Sequence, residues 1–280
     1  PAEIMLEGAG MGMPSAEEVS ALRSYLGLDA PPYVQYGLWL WRLLQGDGGM
    51  SYHLGMSVFD ALLARLPVTV ALSVAALGWA VVGGIGLGLL MARMRGTIVE
   101  ALVRGVTQVM LAAPSFLMAI LLILVFGVWL RVLPTNGVAS AEGYILPSLA
   151  LALVTLAMTA QLLDSQLREA LASFYAQTAR LRGLSEMRVL LTYALPNAVI
   201  PVVAMLGNFF AAVLGGAIIV ETVFALPGIG SLALEAIHYR DYPLLQGYVL
   251  FLGGIYILVT IAVDLVLLRL DPRVMLGGGR

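Results

Sequence analysis

Five stretches of this chain, residues 66–92, 105–130, 143–163, 189–220 and 242–263, contain no Asp, Glu, Lys or Arg. About 20 apolar residues carry an α-helix across the hydrocarbon core of a bilayer, and each stretch is that long or longer. Nothing else constrains the fold so far. In hydrocarbon every backbone N–H and C=O must be bonded within the chain, which leaves only helices and closed barrels. The apolar runs are continuous rather than alternating, as helices require and barrel strands do not. The chain is therefore predicted to be an all-α, polytopic integral membrane protein with five spans. Composition agrees, with 60% apolar and 11% charged residues, against about a quarter charged in soluble domains.

The same figures exclude several functions. A net charge of −2 offers no basic patch for nucleic acid. With no cysteine there is neither a disulfide nor a thiolate metal site. His53 and His238 are the only histidines, and no His/Asp/Glu group has metal-ligand spacing. An intramembrane enzyme would need a buried polar cluster, and no Ser/His/Asp or paired-carboxylate pattern is found. The thirteen Met residues lie mostly in apolar runs and read as packing.

Arginine counts set the orientation, because cytoplasmic loops are enriched in basic residues. Arg93, Arg95 and Arg104 fall in one loop, four Arg in the 164–196 loop, and Arg269, Arg273 and Arg280 in the tail. The opposite side is poorer: residues 1–65 carry three Arg under seven acids, and 131–142 and 221–241 one Arg each. Residues 1–65 and 223–241 are accordingly predicted outside, with 164–196 and the C-terminus inside. In the outer segment, Ser15-Ala-Glu-Glu18 is a capping box opening a helix to about Leu26. A second amphipathic helix over 33–44 carries Tyr36, Trp39 and Trp41, suited to a bilayer interface. The start at Pro1, the absence of a signal-peptide pattern and an outer segment with no span before it suggest that a first span is missing.

The most polar interruption of the second half lies at 175–196. Leu167, Leu171, Phe174, Thr178 and Leu181 form one helical stripe, and Met187, Leu190, Leu191 and Ala194 another. Gly183 suits the residue that ends the first helix. Ser185 and Glu186 suit the start of the second, and Pro196 limits it. Two short amphipathic helices at a glycine elbow make a knob for another protein's groove, or a membrane-surface loop with arginine anchors.

The spacing here resembles the cytoplasmic signature of ABC-importer membrane subunits, Glu-Ala-Ala-x3-Gly-x9-Ile-x-Leu-Pro. Ala179, Gly183, Leu195 and Pro196 match in register, while Gln177, Thr178 and Tyr193 depart from the generic form. Thr178-Ala179-Arg180 followed by Gly183-Leu184 is similar to the dipeptide/oligopeptide/nickel branch. Further likenesses are Pro1-Ala-Glu3, Leu28-Asp-x-Pro-x-Tyr-Val-Gln-Tyr36, Arg65-Leu-Pro-x-Thr69, Pro114-Ser-Phe116, Glu221-Thr-x-Phe-x-x-Pro-Gly228, Arg240-Asp-Tyr-Pro243 and Asp271-Pro-Arg273.

The resemblance implies a permease-type helical bundle with six spans in the complete protein. It divides the chain into an extracytoplasmic segment 1–65, a transmembrane domain 66–273 with coupling helices at about 166–195, and a cytoplasmic tail 274–280. It implies an importer subunit of the bacterial inner membrane, forming half of a path for peptides, a nickel chelate or a related solute. Its partners would be a second homologous permease subunit, two cytoplasmic ATPase subunits, an extracytoplasmic substrate-binding protein and the lipid bilayer. No cofactor is expected in this chain, ATP and Mg being held by the ATPases. Gln177, Thr178, Ala179, Arg180, Gly183, Leu184, Leu195 and Pro196 would couple to them. An exporter or lipid permease is the rival, but it has no need of the long outer segment.

Several features read two ways. Gly84 and Gly88, in a glycine-rich run resembling a phosphate loop, lie mid-span and read as a close helix-packing face, as do Gly207, Gly215 and Gly216. Asp264 either pairs with Arg269 at the interface or lines the path. Asp164 and Glu221 read as span-boundary markers. Phe224 and Pro227, in the outward loop, either gate the pore mouth or cover interfacial aromatics.

Overall fold

The computed structural model describes residues 15–25, 29–137, 140–215 and 217–270. The expectations placed on residues 1–14, 26–28 and 271–280 and on Gly216 lie outside these. Among the described residues the regular structure is helical, joined by turns and loops, with one isolated bridge between Met50 and Ser57. Two short helices precede the bundle, α1 (Ala16–Tyr25) and α2 (Pro32–Leu44). The capping box forms: the Ser15 hydroxyl accepts from the Glu18 amide at 3.2 Å, and the Glu18 carboxylate accepts from the Ser15 amide at 2.9 Å.

The bundle begins with α3 (Val58–Arg93), whose 36 residues make it about 54 Å long. That is longer than a core of about 30 Å requires, and the expected boundary at 65/66 falls inside the helix. α6 (Ile145–Ala172) runs parallel to α3. Trp79 donates to Ser148 at one end, and Gly88 meets Ala160 and Leu163 at the other. A Cβ on Gly84 would stand 2.5 Å from Thr159 and 3.0 Å from the Leu156 carbonyl oxygen; on Gly88 it would stand 2.9 Å from that of Ala160. The glycine face is thus a packing face, and α3 and α6 touch backbone to backbone.

Residues 105–130 do not form one straight span. α4 (Ile98–Ala112) and α5 (Ser115–Leu122, continued by a π-helical stretch Ile123–Trp129) meet at a bend of 109°. Pro114 is the cause. Its ring bars the preceding residue from the helical region, and Ala113 is extended at φ −83°, ψ 130°. Among the described residues four helices are long and apolar enough to cross a membrane, and the bent pair makes a fifth if counted as one span.

α6 ends at Ala172, and the chain passes through α7 (Phe174–Leu181) and the short turn α8 (Glu186–Arg188). A π turn (Val189–Ala194) then leads directly into α9 (Leu195–Leu214). Pro196 therefore opens a helix instead of stopping one. In a regular turn its ring would strike the carbonyl four residues back, and the wider π turn relieves that contact. α10 (Ile218–Val223) and α11 (Ile229–His238) form a short hairpin, followed by α12 (Tyr242–Leu270). Gly207 packs on α12, where a Cβ would stand 2.5 Å from Val263. Gly215 does not pack on a neighbouring helix; its carbonyl accepts the Tyr248 hydroxyl at 2.9 Å.

The main core gathers Ala76, Ala80, Leu163, Leu167, Ala194, Val202 and their neighbours from α3, α6 and α9. α12 gives this core little, and its most apolar stretch is nowhere buried. Gly84→Val should therefore lower the melting temperature of the detergent-solubilised protein, by overpacking worth about 1–3 kcal/mol. Gly86→Val, with nothing within 4 Å, should leave it unchanged.

Candidate functional site

The elbow is built by two breaks in the helical chain, at Ser173 and at Gly183. Ser173, extended at φ −67°, ψ 158°, separates α6 from α7. The apolar stripe expected through 167–181 is broken there: Leu167 faces the core, while Phe174 and Leu181 are 84% and 89% exposed. After α7 the chain turns at Gly183, φ +82°. The Leu184 amide donates to the Ala179 carbonyl at 3.3 Å, and the Gly183 amide to that of Arg180 at 2.9 Å. This double reverse bond needs the left-handed conformation that glycine adopts freely. Ala176, Ala179 and Val189 pack beneath it with Leu171, Leu184 and Tyr193.

Arg180 ties the elbow together. Its guanidinium grips Glu186 by two bonds, at 2.7 and 3.1 Å, and donates to the Leu171 carbonyl at 2.9 Å. Glu186 raises the arginine's pKa further still. Arg180 is therefore neither a lipid anchor nor a free contact for an acidic groove, because the turn at Gly183 brings Glu186 back over it. Of the other expected coupling residues, Gln177 is exposed and donates to the Ala172 carbonyl, and Thr178 donates to that of Phe174. Leu195 packs into the main core and Pro196 sits in the first turn of α9, so these two direct how the elbow rejoins the bundle. Ser185 stands before α8 without a side-chain cap bond. The outward face carries Phe174, Leu181, Arg182, Met187 and Arg188.

Just above the elbow, Asp164 on α6 is 1% exposed and surrounded by arginines. Its carboxylate accepts from Arg104 at 2.8 Å and from Arg168, and Arg95 lies 3.9 Å away. Glu100 joins the same network, 2.8 Å from Arg104 and 3.0 Å from Arg168. One turn further, Gln161 donates to Thr107 at 3.1 Å. α4 and α6 thus run antiparallel, held by a ladder of polar contacts. Asp164 is not merely a boundary marker. The signal was present as two acid–arginine pairs four residues apart, Glu100/Arg104 and Asp164/Arg168, on helices that face each other.

At the opposite end, Glu221 is fully buried. It accepts from the Thr69 hydroxyl and from the Ser231 amide, each at 2.8 Å. Thr69 in turn accepts from the Ile229 amide at 2.9 Å. The carboxylate thus lies at the start of α11, where unpaired amides favour an anion. Gly228 leaves the room: a Cβ there would stand 2.3 Å from the carboxylate. Glu221, read as a boundary marker, instead closes the α10–α11 hairpin onto α3. Phe224 is buried among Leu72, Leu146, Ala150 and Leu226. It serves as core in this chain, and Pro227 is half-buried.

Asp241, also buried, accepts from the Ser51 hydroxyl and from the His53 and Leu244 amides, joining the 46–57 loop to the start of α12. The two histidines meet around Tyr239, His53 stacked at 3.5 Å and His238 edge-on at 5.1 Å. Asp264 is exposed and forms no ion pair among the described residues. Five residues separate it from Arg269, which puts the two about 140° apart around the helix.

Residues 84–276 match the family described as the inner membrane component of binding-protein-dependent transport systems. A putative peptide transport system permease protein of Brucella abortus is 37% identical over 97% of this chain and 88% of its own length. The glutathione transport system permease protein GsiC of Escherichia coli K12 is 36% identical over 92% of this chain and 85% of its own length. Among solved structures, a chain of the MetNI methionine ABC transporter superposes with a TM-score of 0.62, covering 76% of this chain and 97% of that one at 17% identity. That likeness is one of fold.

The two aspartates differ in a measurable way. Asp164→Ala should cost about 1–3 kcal/mol, because it removes charge-assisted hydrogen bonds while the part-exposed Arg104 and Arg168 keep Glu100. Asp264→Asn, a surface change, should stay within about 0.5 kcal/mol. Thermal unfolding in one detergent compares them directly, and equal effects would contradict the assignment.

Proposed function

The chain belongs to the family of binding-protein-dependent transport system inner membrane components, and from that premise we propose that its elbow is where a cytoplasmic ATPase drives the permease. The observation that carries this is the elbow's build. Phe174, Leu181, Met187 and the flanking Arg182 and Arg188 are exposed on a unit whose own interior is tied by Arg180 and the Gly183 turn. Large apolar side chains with arginine at the rim are what a docking surface offers to a groove. Gln177, Thr178, Ala179, Leu184, Leu195 and Pro196 act through the elbow's shape: Ala179 and Leu184 fill its interior, and Leu195 and Pro196 fix its exit.

In this reading ATP and Mg are held by two ATPase subunits, and this chain performs transport without chemistry of its own. Closure of the ATPases displaces the elbow and shifts the spans between inward-open and outward-open states. The exposed α12 and α4 faces accommodate a second permease subunit and lipid, and substrate crosses between the two subunits. Asp264, about 33 Å along α12 from Tyr242, lies at the inner mouth of that path. A substrate-binding protein delivers from outside, over the α10–α11 hairpin. The names of the peptide and glutathione relatives favour a short peptide over a nickel chelate. The setting is the bacterial cytoplasmic membrane, with 29–57 outside and the elbow inside.

Orientation is checked by cysteine labelling, which starts from a chain without cysteine. A cysteine at Gln45 should react with an impermeant reagent from outside, and one at Ser185 should not; the reverse would place the elbow outside and remove its role. Coupling is checked by ATPase activity of the complex in lipid. Gly183→Val, which opposes the left-handed turn, should keep basal hydrolysis and lose stimulation by loaded binding protein. Gly183→Asn, tolerated in that conformation, should retain most of it. Full stimulation of the Gly183→Val complex would overturn the proposal.

A further inference from the structure

α2 reads Pro-Tyr-Val-Gln-Tyr-Gly-Leu-Trp-Leu-Trp-Arg-Leu-Leu, and none of its residues is buried. Tyr33, Tyr36, Leu38, Trp41 and Leu44 are each more than half exposed. Its two hydrogen-bonding side chains beyond the tyrosines and tryptophans, Gln35 and Arg42, are seven residues apart and so fall on one narrow strip. The rest of the circumference is apolar. A helix so apolar and so uncovered is not stable in water, since most helical stability comes from burying such a face.

Its anchorage tells what covers it. The Asp47 amide donates back to the Arg42 carbonyl at 2.9 Å, so the chain wraps directly off the last turn of α2. At the next residue, Gly48, a Cβ would stand 2.9 Å from the Phe59 ring in the first turn of α3. The Gly49 carbonyl accepts from the Val58 amide at 3.0 Å. Gly49 also faces Pro243 in the first turn of α12, where a Cβ would stand 3.8 Å away. The Met50–Ser57 bridge closes the intervening loop. The end of α2 is therefore clamped where two membrane-length helices begin.

We propose that α2 is an interfacial anchor lying in the leaflet at which α3 and α12 begin, with the lipid bilayer as its partner. Tyr and Trp concentrate at that depth because each has an apolar body and a polar edge. Arg42 turns toward the headgroups and water, Gln35 on the same strip donates to the Ala30 carbonyl at 2.7 Å, and the remaining faces sit among acyl chains. The clamp at 47–49 then holds the entrances of α3 and α12 at a constant depth while the opposite ends move. The placement is independent of the coupling role proposed for the elbow.

The test places single spin labels at residues 33 to 44 in the assembled transporter in proteoliposomes, and compares collision with molecular oxygen and with a water-soluble nickel chelate. Labels at Tyr36, Leu38, Trp41 and Leu44 should favour oxygen several-fold, and those at Gln35 and Arg42 the chelate. Chelate access around the whole helix would overturn the proposal by placing α2 in water. Labels reached by neither reagent would overturn it by showing a protein partner on this face. As a second readout with α2 unmodified, Trp79→Phe/Trp129→Phe leaves Trp39 and Trp41 as the chain's tryptophans. Lipids brominated near the carbonyls should quench them more than lipids brominated at the chain ends, and no quenching by either would equally overturn it.

Discussion

The carboxylate of Asp164 is shared by guanidinium groups from three parts of the chain: Arg95 before α4, Arg104 within it and Arg168 on α6 itself. An unpaired charge taken out of water costs several kcal/mol, and only opposite charge at hydrogen-bonding distance offsets it. None of these helices can move from the others without exposing that cost. α6 continues into the elbow across the single residue Ser173, and Arg180 bonds back to the Leu171 carbonyl. A push on the elbow is thereby delivered to α6 and, through Asp164 and Glu100, to α4.

The other end is held by the same device with different ligands. Glu221 and Asp241 are buried acids satisfied by hydroxyls and backbone amides rather than by arginine. Neutral donors with fixed geometry make a latch without mobile charges, suited to the rim where α3, α11 and α12 converge. Between the two ends, α3 and α6 touch through Gly84 and Gly88 at backbone distance. α12 packs on α9 at Gly207 and keeps an exposed apolar face.

Much of this was legible in the sequence where one residue type admits one physical reading. Uncharged runs marked the spans, the Ser15/Glu18 box marked α1, and Gly183 marked a left-handed turn. What escaped was anything decided by a second helix. Asp164 and Glu221 look alike in the sequence, as acids closing apolar runs. Only the facing Arg104 or the start of α11 makes them buried anions. Pro114 and Pro196 were both recognised as special, yet one bends the chain by 109° and the other sits in a continuous helix. The difference lies in whether a π turn precedes the proline, which no local pattern announces. Arg180 was read as outward-facing because Glu186, six residues on, is brought over it only by the turn.

The central claim is that the elbow, α6 and α4 move as one body. Pulsed electron–electron distances between labels at Leu181 and Val99 of the same chain, both exposed, test it most directly. The transporter complex would be measured without nucleotide and again with ATP trapped. The 181–99 distance should stay unchanged while the distance from 181 to a label at Ile257 on α12 shifts. A change in the 181–99 distance as large as that shift would contradict it, because the Asp164 cluster would then be opening as the transporter turns over.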